Sequence, residues 1–285
     1  MIDLINNNFT GSEEKQFEGF EQQKYVDIHC HCLPAVDDGP ETMAEALALC
    51  RELVNDCITS VIATPHQLGR FSGCNEAAQI REAVSILNEE LKSNNIPLNV
   101  MPGGDVRVDE RICQLIKTDK ILTLADGDKY ILLELPQHIF IDITPLLVEL
   151  DFLGVQVIIS HPERHPVLAK QPQILLDWQA HSTHLQITSG SLLGEFGLMA
   201  QRAAWQFLSS GWASLVATDS HDLDGRRPSM RAAFEHISIK LGHHIARLVC
   251  IENPLRVLKG QDIASAYSVI TGNYNAERKA SNYKR

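Results

Sequence analysis

The sequence predicts an α/β fold in which parallel strands close into a barrel. Short apolar runs alternate with segments of helical periodicity seven times along the 285 residues, which is typical of parallel strands joined by crossover helices. An open doubly wound sheet would also satisfy this alternation, but no obvious topological switch interrupts the seven units. No G-x-G-x-x-G or G-x-x-x-x-G-K-[ST] motif follows any run, which disfavours a nucleotide-binding open sheet. We therefore expect a closed barrel.

The predicted strands are short apolar runs, and a polar extension precedes the first of them. Residues 1–24 are rich in Asn, Gln and Glu without a sustained period, so we expect a mobile N-terminal extension. Beyond it, each strand is indicated by an apolar run that stops at proline, glycine or a polar residue. The seven runs cover residues 25–28, 60–63, 97–101, 130–133, 155–159, 185–188 and 214–217.

Helices are predicted between the strands, where apolar residues recur three and four positions apart. The first begins at Pro40 and Glu41, because proline is favoured at the first helical position, and it extends to about residue 56. The others cover residues 75–93, 110–117, 143–152, 171–181, 194–210, 229–241 and 243–249. The barrel thus spans residues 25–260, and residues 261–285 form a polar C-terminal tail. This tail contains Tyr267, Tyr274 and Tyr283, and phosphorylation of them is one hypothesis, but a tail that merely contains tyrosines is the favoured interpretation.

Composition and charge limit the classes of function. The chain has 44% hydrophobic and 21% charged residues, as an ordinary globular protein does, and a formal net charge of −11. The lack of a Lys and Arg excess argues against nucleic-acid binding through phosphate contacts. No apolar run approaches the roughly 18 residues that a membrane helix needs, so we expect no membrane insertion. The sequence leaves a homo-oligomer possible.

The cysteine pattern indicates a reducing compartment. Seven cysteines are scattered without disulfide-like spacing, which favours a cytoplasmic location. Cys30 and Cys32 alternate with His29 and His31, so their side chains should face the other side of the strand. We expect these two thiols to be small buried side chains rather than metal ligands.

Metal-binding residue types follow almost every predicted strand. His29 and His31 are two positions apart at the end of the first strand, so both imidazoles can reach one point. The nine candidate ligands are His29, His31, Asp38, His66, Asp105, Glu134, His161, Asp219 and His221. Any one of them alone is explained as a polar group at a strand end, but six of seven strand ends carry one. Because α/β barrels place their active sites at the C-terminal ends of the strands, we expect these side chains to meet.

The charge of this set indicates its chemistry. Four carboxylates and five neutral histidines can hold two or three divalent ions, and three ions leave a net charge of about +2. Such a site attracts a phosphoryl group, and clustered ions lower the pKa of bound water, so that no protein nucleophile is required. Arg164 and Arg226 follow two of the histidines and are candidates to grip phosphate oxygens, although ion pairs with Glu163 or Asp224 are an equal alternative. Arg227 is a weaker candidate.

Seven motifs resemble the PHP (polymerase and histidinol phosphatase) superfamily, and more narrowly the bacterial tyrosine-protein phosphatases encoded with capsule and exopolysaccharide genes. They are Asp-Ile-His-Cys-His, Asp-Asp-Gly, Ala-Thr-Pro-His, Gly-Gly-Asp, Leu-Glu-Leu, Ser-His-Pro-Glu-Arg and Thr-Asp-Ser-His-Asp-Leu-Asp-Gly-Arg, and they cover residues 25–260 in the expected order. The resemblance implies a distorted (β/α)7 TIM-like barrel of the PHP type with a trinuclear, usually manganese-dependent site. It also implies hydrolysis of phosphotyrosine on a partner tyrosine kinase that controls polysaccharide export.

The resemblance also divides the candidate ligands among three ions and gives the two arginines a role. The groups are His29, His31, Glu134 and Asp219; Asp105, Glu134 and His161; and Asp38, His66 and His221. Arg164 and Arg226 would contact the substrate phosphate. One residue departs from the pattern, because the family usually has Glu where this chain has Asp105. The side chain is one methylene shorter, which puts the affinity or occupancy of one metal site in question.

Other functions remain open at this point. A small phosphomonoester such as histidinol phosphate would use the same metals. A C–N hydrolase of the amidohydrolase type also begins with H-x-H, but it often has a carboxylated Lys where this chain has Glu134. A Cys-based phosphatase would use Cys250 and Arg256, yet the segment lacks the glycines of a phosphate-binding loop. A metal-binding module without turnover is disfavoured by the complete ligand set.

Overall fold

Parallel strands form two hydrogen-bonded sheets at the centre of the protein. The computed structural model describes residues 24–137 and 139–266. Its strands are β1 (Tyr25–Cys30), β2 (Ile58–Ala63), β3 (His66–Gln67), β4 (Asn99–Pro102), β5 (Asp105–Arg107), β6 (Tyr130–Glu134), β7 (Gln156–Ser160), β8 (Thr183–Thr188) and β9 (Ala213–Ala217). The sheets have the orders β1-β2-β4 and β3-β5-β6-β7-β8-β9, and all neighbouring pairs are parallel. All seven predicted strand positions are occupied by strands.

Two of the seven predicted strands are interrupted, so each of them gives two short strands. β2 ends at Ala63, and pairing with the neighbouring strand resumes at His66 in β3. Pro65 lies in the gap and has no backbone N–H to donate to a sheet. On the neighbouring strand, a Cβ at Gly103 would stand 2.6 Å from Ile62 Cγ2, so only glycine allows this close approach. The interruption distorts the barrel, as expected, and sets His66 at the start of a new strand.

The last strand meets the first, which closes the strands into a barrel. The backbone N–H of Asp219 donates to the carbonyl of His29 at 2.8 Å, and the N–H of His31 donates to the carbonyl of Ser220 at 2.8 Å. Cys30 and Ser220 also form an isolated parallel bridge. The predicted barrel is therefore confirmed, and its closure brings His29 and His31 next to Asp219.

Helices connect the strands. They are α1 (Met43–Asn55), α2 (Ala77–Ser93), α3 (Ile112–Lys117), α4 (Thr144–Leu153), α5 (Pro166–Lys170), α6 (Gln173–Gln179), α7 (Ser189–Leu193), α8 (Gly197–Ser209), α9 (Met230–Leu241), α10 (His243–Arg247) and α11 (Asn253–Leu258). A short π-helical segment, Leu248–Glu252, joins α10 to α11.

Some predicted helix bounds were wrong. The first helix begins at Met43 rather than at Pro40, because Thr42 and Glu45 form a capping box that satisfies the free N–H groups of the first turn. The helix predicted at 194–210 begins after Gly194, whose φ of +93° ends the short helix α7. Helix α11 was not predicted at all.

The hydrophobic core has an inner part within the barrel and a larger outer part between strands and helices. Val26 and Ile28 belong to the inner part, whereas Cys30 and Cys32 belong to the outer part. A register shift between Asp27 and Cys30 in β1 accompanies this change of side. Cys30 and Cys32 are fully buried free thiols, which confirms their prediction as buried side chains.

The predicted N-terminal extension and C-terminal tail lie mostly outside the part of the chain that the structure describes. The mobile extension and the polar tail, with Tyr267, Tyr274 and Tyr283, lie outside the described residues except for Lys24 and residues 261–266. Across the two described ranges, no helix combines the length and apolar character needed to cross a membrane.

Candidate metal and phosphate site

The predicted ligands meet at the C-terminal ends of the strands. Four overlapping groups of side chains hold potential ligand atoms within 4.8 Å of one another. They are His31, Asp38, His66 and His221; His29, Asp105 and His161; His29, His31 and Asp219; and His66, Asp105 and Glu134. Each of the nine candidates belongs to at least one group. Several of them line a cavity of about 250 Å³, whose wall also contains Arg164 and Arg226.

The rings of His29 and His31 are held so that one nitrogen of each faces the same point. Nδ1 of His29 lies 2.9 Å from Gln186 Oε1, and Nδ1 of His31 lies 2.6 Å from Asp37 Oδ2. These acceptors favour a proton on Nδ1, so that Nε2 of a neutral ring carries the lone pair. The two Nε2 atoms are 3.3 Å apart, and that of His29 is 3.1 Å from Asp219 Oδ1. Lone pairs and a carboxylate that converge in this way fit a shared cation.

Asp105, the residue that departs from the family pattern, lies between two of the groups. Its Oδ2 is 3.8 Å from His29 Nε2 and 3.3 Å from His66 Nδ1. Both of its oxygens, and Oδ1 of Asp219, are buried and accept no hydrogen bond. Buried carboxylate oxygens whose only polar neighbours are imidazole nitrogens are costly, so this donor set fits divalent cations. The shorter side chain thus still lies within reach of both groups.

A third part of the site is more open to solvent. Asp38 Oδ1 lies 3.4 Å from His66 Nε2 and 3.5 Å from His221 Nε2. Nδ1 of His221 is 3.0 Å from the carbonyl oxygen of Asp219, which orients the ring. His31 stacks on His221 with ring centroids 3.8 Å apart, so this part is continuous with the buried part of the site.

Burial and close charges shift the pKa values of the cluster in opposite directions. Burial, together with the nearby carboxylate of Asp105, raises the pKa of Glu134 to about 7. Burial opposes protonation of His29, but Asp219 and Asp105 outweigh it and raise the pKa of His29 to about 9. Burial lowers the pKa of His31 to about 4. Protons here partly offset the carboxylate charge, and bound cations would displace them.

Two candidate ligands occupy left-handed backbone. His161 has a φ of +34° and Asp219 a φ of +55°, a region that few residues other than glycine adopt. Such conformations cluster at functional sites, where the surrounding structure maintains them. Here they turn the chain one residue after β7 and two residues after β9, where both side chains enter the site.

Arg164 and Arg226 both donate from Nη2 to the same oxygen of Asp219, Oδ2. The ion pairs with Glu163 and Asp224 that the sequence offered as alternatives are not formed by the described residues. The Nε atoms of both arginines are buried and have no acceptor. The two guanidinium groups therefore lie together in the cavity wall, and each keeps an Nε–H without an acceptor among the described residues.

Sequence reasoning missed residues that orient the ligands or line the cavity. Asp37 and Gln186 position the two histidines of β1. Arg107 lines the cavity, and its Nε lies 3.4 Å from Glu134 Oε2. A signal for Arg107 was present, because it follows Asp105 by two positions in a strand and so shares its side.

The structure argues against the Cys-based alternative. Cys250 is fully buried, and burial raises the pKa of its thiol. It lies in the helical segment Leu248–Glu252, and Arg256 lies in the next helix, α11. Continuous helical backbone joins the two residues, so no loop presents N–H groups to a phosphate.

The fold and the site together define a class, namely parallel α/β barrels with a histidine and carboxylate cluster at the C-terminal ends of their strands. The family model described as "Capsular polysaccharide synthesis, CpsB/CapC" matches residues 25–259. The chain is 33% identical over 239 residues to the tyrosine-protein phosphatase YwqE of Bacillus subtilis, covering 84% of this chain and 93% of that protein. It is 28% identical over 246 residues to the tyrosine-protein phosphatase CpsB of Streptococcus agalactiae, covering 84% of this chain and 100% of CpsB. The chain belongs to the CpsB/CapC family.

Solved structures agree with this assignment. A structure from work on YwqE of Bacillus subtilis and CpsB of Streptococcus pneumoniae, described there as unique metal-dependent tyrosine phosphatases, matches with a TM-score of 0.80 and 32% identity. The match covers 84% of this chain and 96% of that one. Dihydropyrimidinase from Brevibacillus agri matches with a TM-score of 0.54 at 10% identity and covers 85% of this chain and 72% of that one, which shows the fold alone. The resemblance to the capsule-locus phosphatases is confirmed.

Proposed function

We propose that this protein is a metal-dependent phosphatase that hydrolyses phosphotyrosine on proteins. The observation that carries the proposal is the convergence of Arg164 and Arg226 on Asp219, within a cluster of histidines and carboxylates. This arrangement offers both a place for divalent ions and donors for a phosphate. The relatives named tyrosine-protein phosphatases, and the structural neighbour described as metal-dependent, support the same activity.

The nine clustered side chains would hold two or three divalent ions. We propose manganese, with iron and zinc as alternatives, because mixed imidazole and carboxylate ligands suit all three. When bound, such ions supply positive charge and lower the pKa of water, so hydrolysis needs no protein nucleophile. Gln186 and Asp37 would fix the histidine tautomers in which Nε2 faces the ions.

Arg164 and Arg226 would hold the substrate phosphate. Guanidinium groups bind phosphate oxygens through two parallel N–H donors, and both arginines have an Nε without an acceptor. Their shared contact with Asp219 ties the phosphate-binding groups to a proposed metal ligand. The phosphorus atom would thus be presented beside the ions rather than free in the cavity.

The physiological substrate that we propose is a tyrosine kinase that regulates capsule or exopolysaccharide biosynthesis in the cytoplasm. The family description, capsular polysaccharide synthesis, supports the pathway. All seven cysteines are free thiols, which supports a reducing compartment.

A substrate panel tests the activity. Purified protein is loaded with manganese, iron or zinc, its metal content is measured, and phosphate release is followed from phosphotyrosyl peptides, phosphoseryl peptides and histidinol phosphate. We expect phosphotyrosyl peptides to give the highest kcat/KM. Faster turnover of histidinol phosphate, or of an amide substrate such as dihydrouracil, would overturn the proposed function.

A further inference from the structure

We propose that the turn Leu68–Phe71 forms the subsite for the tyrosine ring of the substrate and so determines specificity for phosphotyrosine. The inference rests on the proposed function and extends it from the phosphate to the rest of the side chain. A phosphotyrosine presents an apolar ring directly beyond its phosphate. An aliphatic phosphomonoester has no such ring, so a ring subsite would distinguish the two.

The composition of the cavity wall points to this turn. Thirteen described residues line the cavity, and eleven of them have charged or polar side chains or are histidines. Only Leu68 and Phe71 among these lining residues have apolar side chains. Within this cavity, a ring whose phosphate is held by Arg164 and Arg226 would therefore find apolar surface at this turn.

Phe71 is anchored close to the proposed metal site. Its ring stacks on that of His66, with centroids 5.5 Å apart and an angle of 14° between the planes. The guanidinium of Arg70 lies 4.7 Å from the centre of the Phe71 ring. Arg70 in turn forms an ion pair with Asp38 at 2.6 Å. The Phe71 ring thus lines the cavity in direct contact with His66, a proposed metal ligand.

The conformation of the turn is held in place at an energetic cost. Leu68 has a φ of +67° and a ψ of −166°, a combination that is unfavourable for a residue with a side chain. Gly69 follows with a φ of +56°, and a Cβ there would stand 3.2 Å from Cγ of Arg107, itself a lining residue. The N–H of Phe71 donates to the carbonyl of Leu68 at 3.0 Å. This strained backbone conformation places Leu68 and Phe71 in the wall of the cavity.

The test compares ring recognition with phosphate recognition in the Phe71→Ala protein. Dissociation constants are measured by calorimetry on metal-loaded protein for a peptide that contains phosphonodifluoromethyl-phenylalanine and for inorganic phosphate. We expect the peptide to bind about tenfold more weakly, since an aromatic contact is lost, and phosphate binding to change less than about twofold. Phe71→Leu keeps apolar bulk and should give an intermediate loss. Phe152→Ala is the matched control, because Phe152 is 87% exposed on α4.

Two results would overturn the inference. If Phe71→Ala weakened the binding of peptide and phosphate equally, Phe71 would merely support His66. A lower metal content in the same samples would show this as well. Unchanged binding of both would mean that the ring lies elsewhere. Failure of the proposed function gives a different result, because the wild-type protein would then bind the peptide no more tightly than it binds phosphate.

Discussion

At the scale of single residues, His31 offers a direct test of the ligand set. Its Nδ1 lies beside Asp37 Oδ2 and its Nε2 faces that of His29, so removal of the ring takes away one proposed nitrogen ligand. We expect His31→Ala to lose bound metal and to lower phosphatase turnover by about 100-fold or more. Elemental analysis of the purified variant measures the metal.

The exposed His236 provides the control for this variant. His236→Ala should keep both metal content and turnover. A His31→Ala protein with unchanged metal content would show that His31 is not a ligand.

Arg164 tests phosphate binding separately from metal binding. Arg164→Lys keeps the positive charge but removes the planar fork of donors. We expect kcat/KM for a phosphotyrosyl peptide to fall about 10- to 100-fold, the cost of a charged hydrogen bond, while metal content stays the same. The same substitution at the exposed Arg227 should leave kinetics unchanged. Equal kinetics in both variants would remove Arg164 from the phosphate site.

At the scale of elements, the capping box of α1 tests why this helix begins where it does. Thr42 accepts from the N–H of Glu45, and the Glu45 carboxylate accepts from the N–H of Thr42. Thr42→Ala should lower the free energy of unfolding by about 1 kcal/mol, measured by urea denaturation. Ser93→Ala, at the exposed end of α2, should change it by less than about 0.5 kcal/mol. An equal effect of both would contradict the capping role.

The start of β8 should contribute to the pH dependence of stability. Burial lowers the pKa of His184 from 6.5 to about 4, and its Nε2 lies 3.1 Å from Gln156 Oε1. The unfolded chain therefore binds a proton below pH 6.5 that the folded protein takes up only near pH 4, so stability falls as the pH falls through this window. Between pH 6.5 and pH 4, the free energy of unfolding of the His184→Gln protein should fall by about 2 kcal/mol less than that of the wild type. If the free energies of unfolding of the two proteins changed with pH in parallel, the prediction would be contradicted.

Several features that the sequence did not predict depend on distant contacts, although the start of α1 was missed despite its local capping box. The end of β2 at Ala63 was predicted, but the resumption of pairing at His66 depends on another strand, where Gly103 allows a close approach. The register shift in β1 depends on pairing with β2, and it changes which side of the barrel the strand's side chains face. The apolar runs themselves were local signals, and for that reason all seven strand positions could be predicted.

At the scale of the whole molecule, barrel topology explains why the candidate site was easier to predict than several helix bounds. Parallel strands bring their C-terminal ends to one face, so residues far apart in the chain meet whatever the exact length of each helix. The orientation of side chains within that face is not local information. Asp37 and Gln186 were missed for this reason, since their roles depend on the positions of the histidine rings.

The charge distribution of the molecule also fits an anionic substrate. The chain carries a formal charge of −11, yet four arginines line the cavity. They are Arg70, Arg107, Arg164 and Arg226. Each of them pairs with Asp38, Glu134 or Asp219, which also line the cavity, so one arginine charge is left in excess there. We expect this excess, together with bound metal ions, to favour phosphorylated ligands.

We expect bound divalent metal to enable this barrel to hydrolyse phosphotyrosine. The most direct measurement is a titration in which chelated protein receives increasing manganese, while bound metal and phosphate release from a phosphotyrosyl peptide are measured together. We predict negligible turnover in the chelated protein and a recovery that follows the bound metal. Full turnover in the metal-free protein, or no phosphate release at full metal occupancy, would contradict the claim.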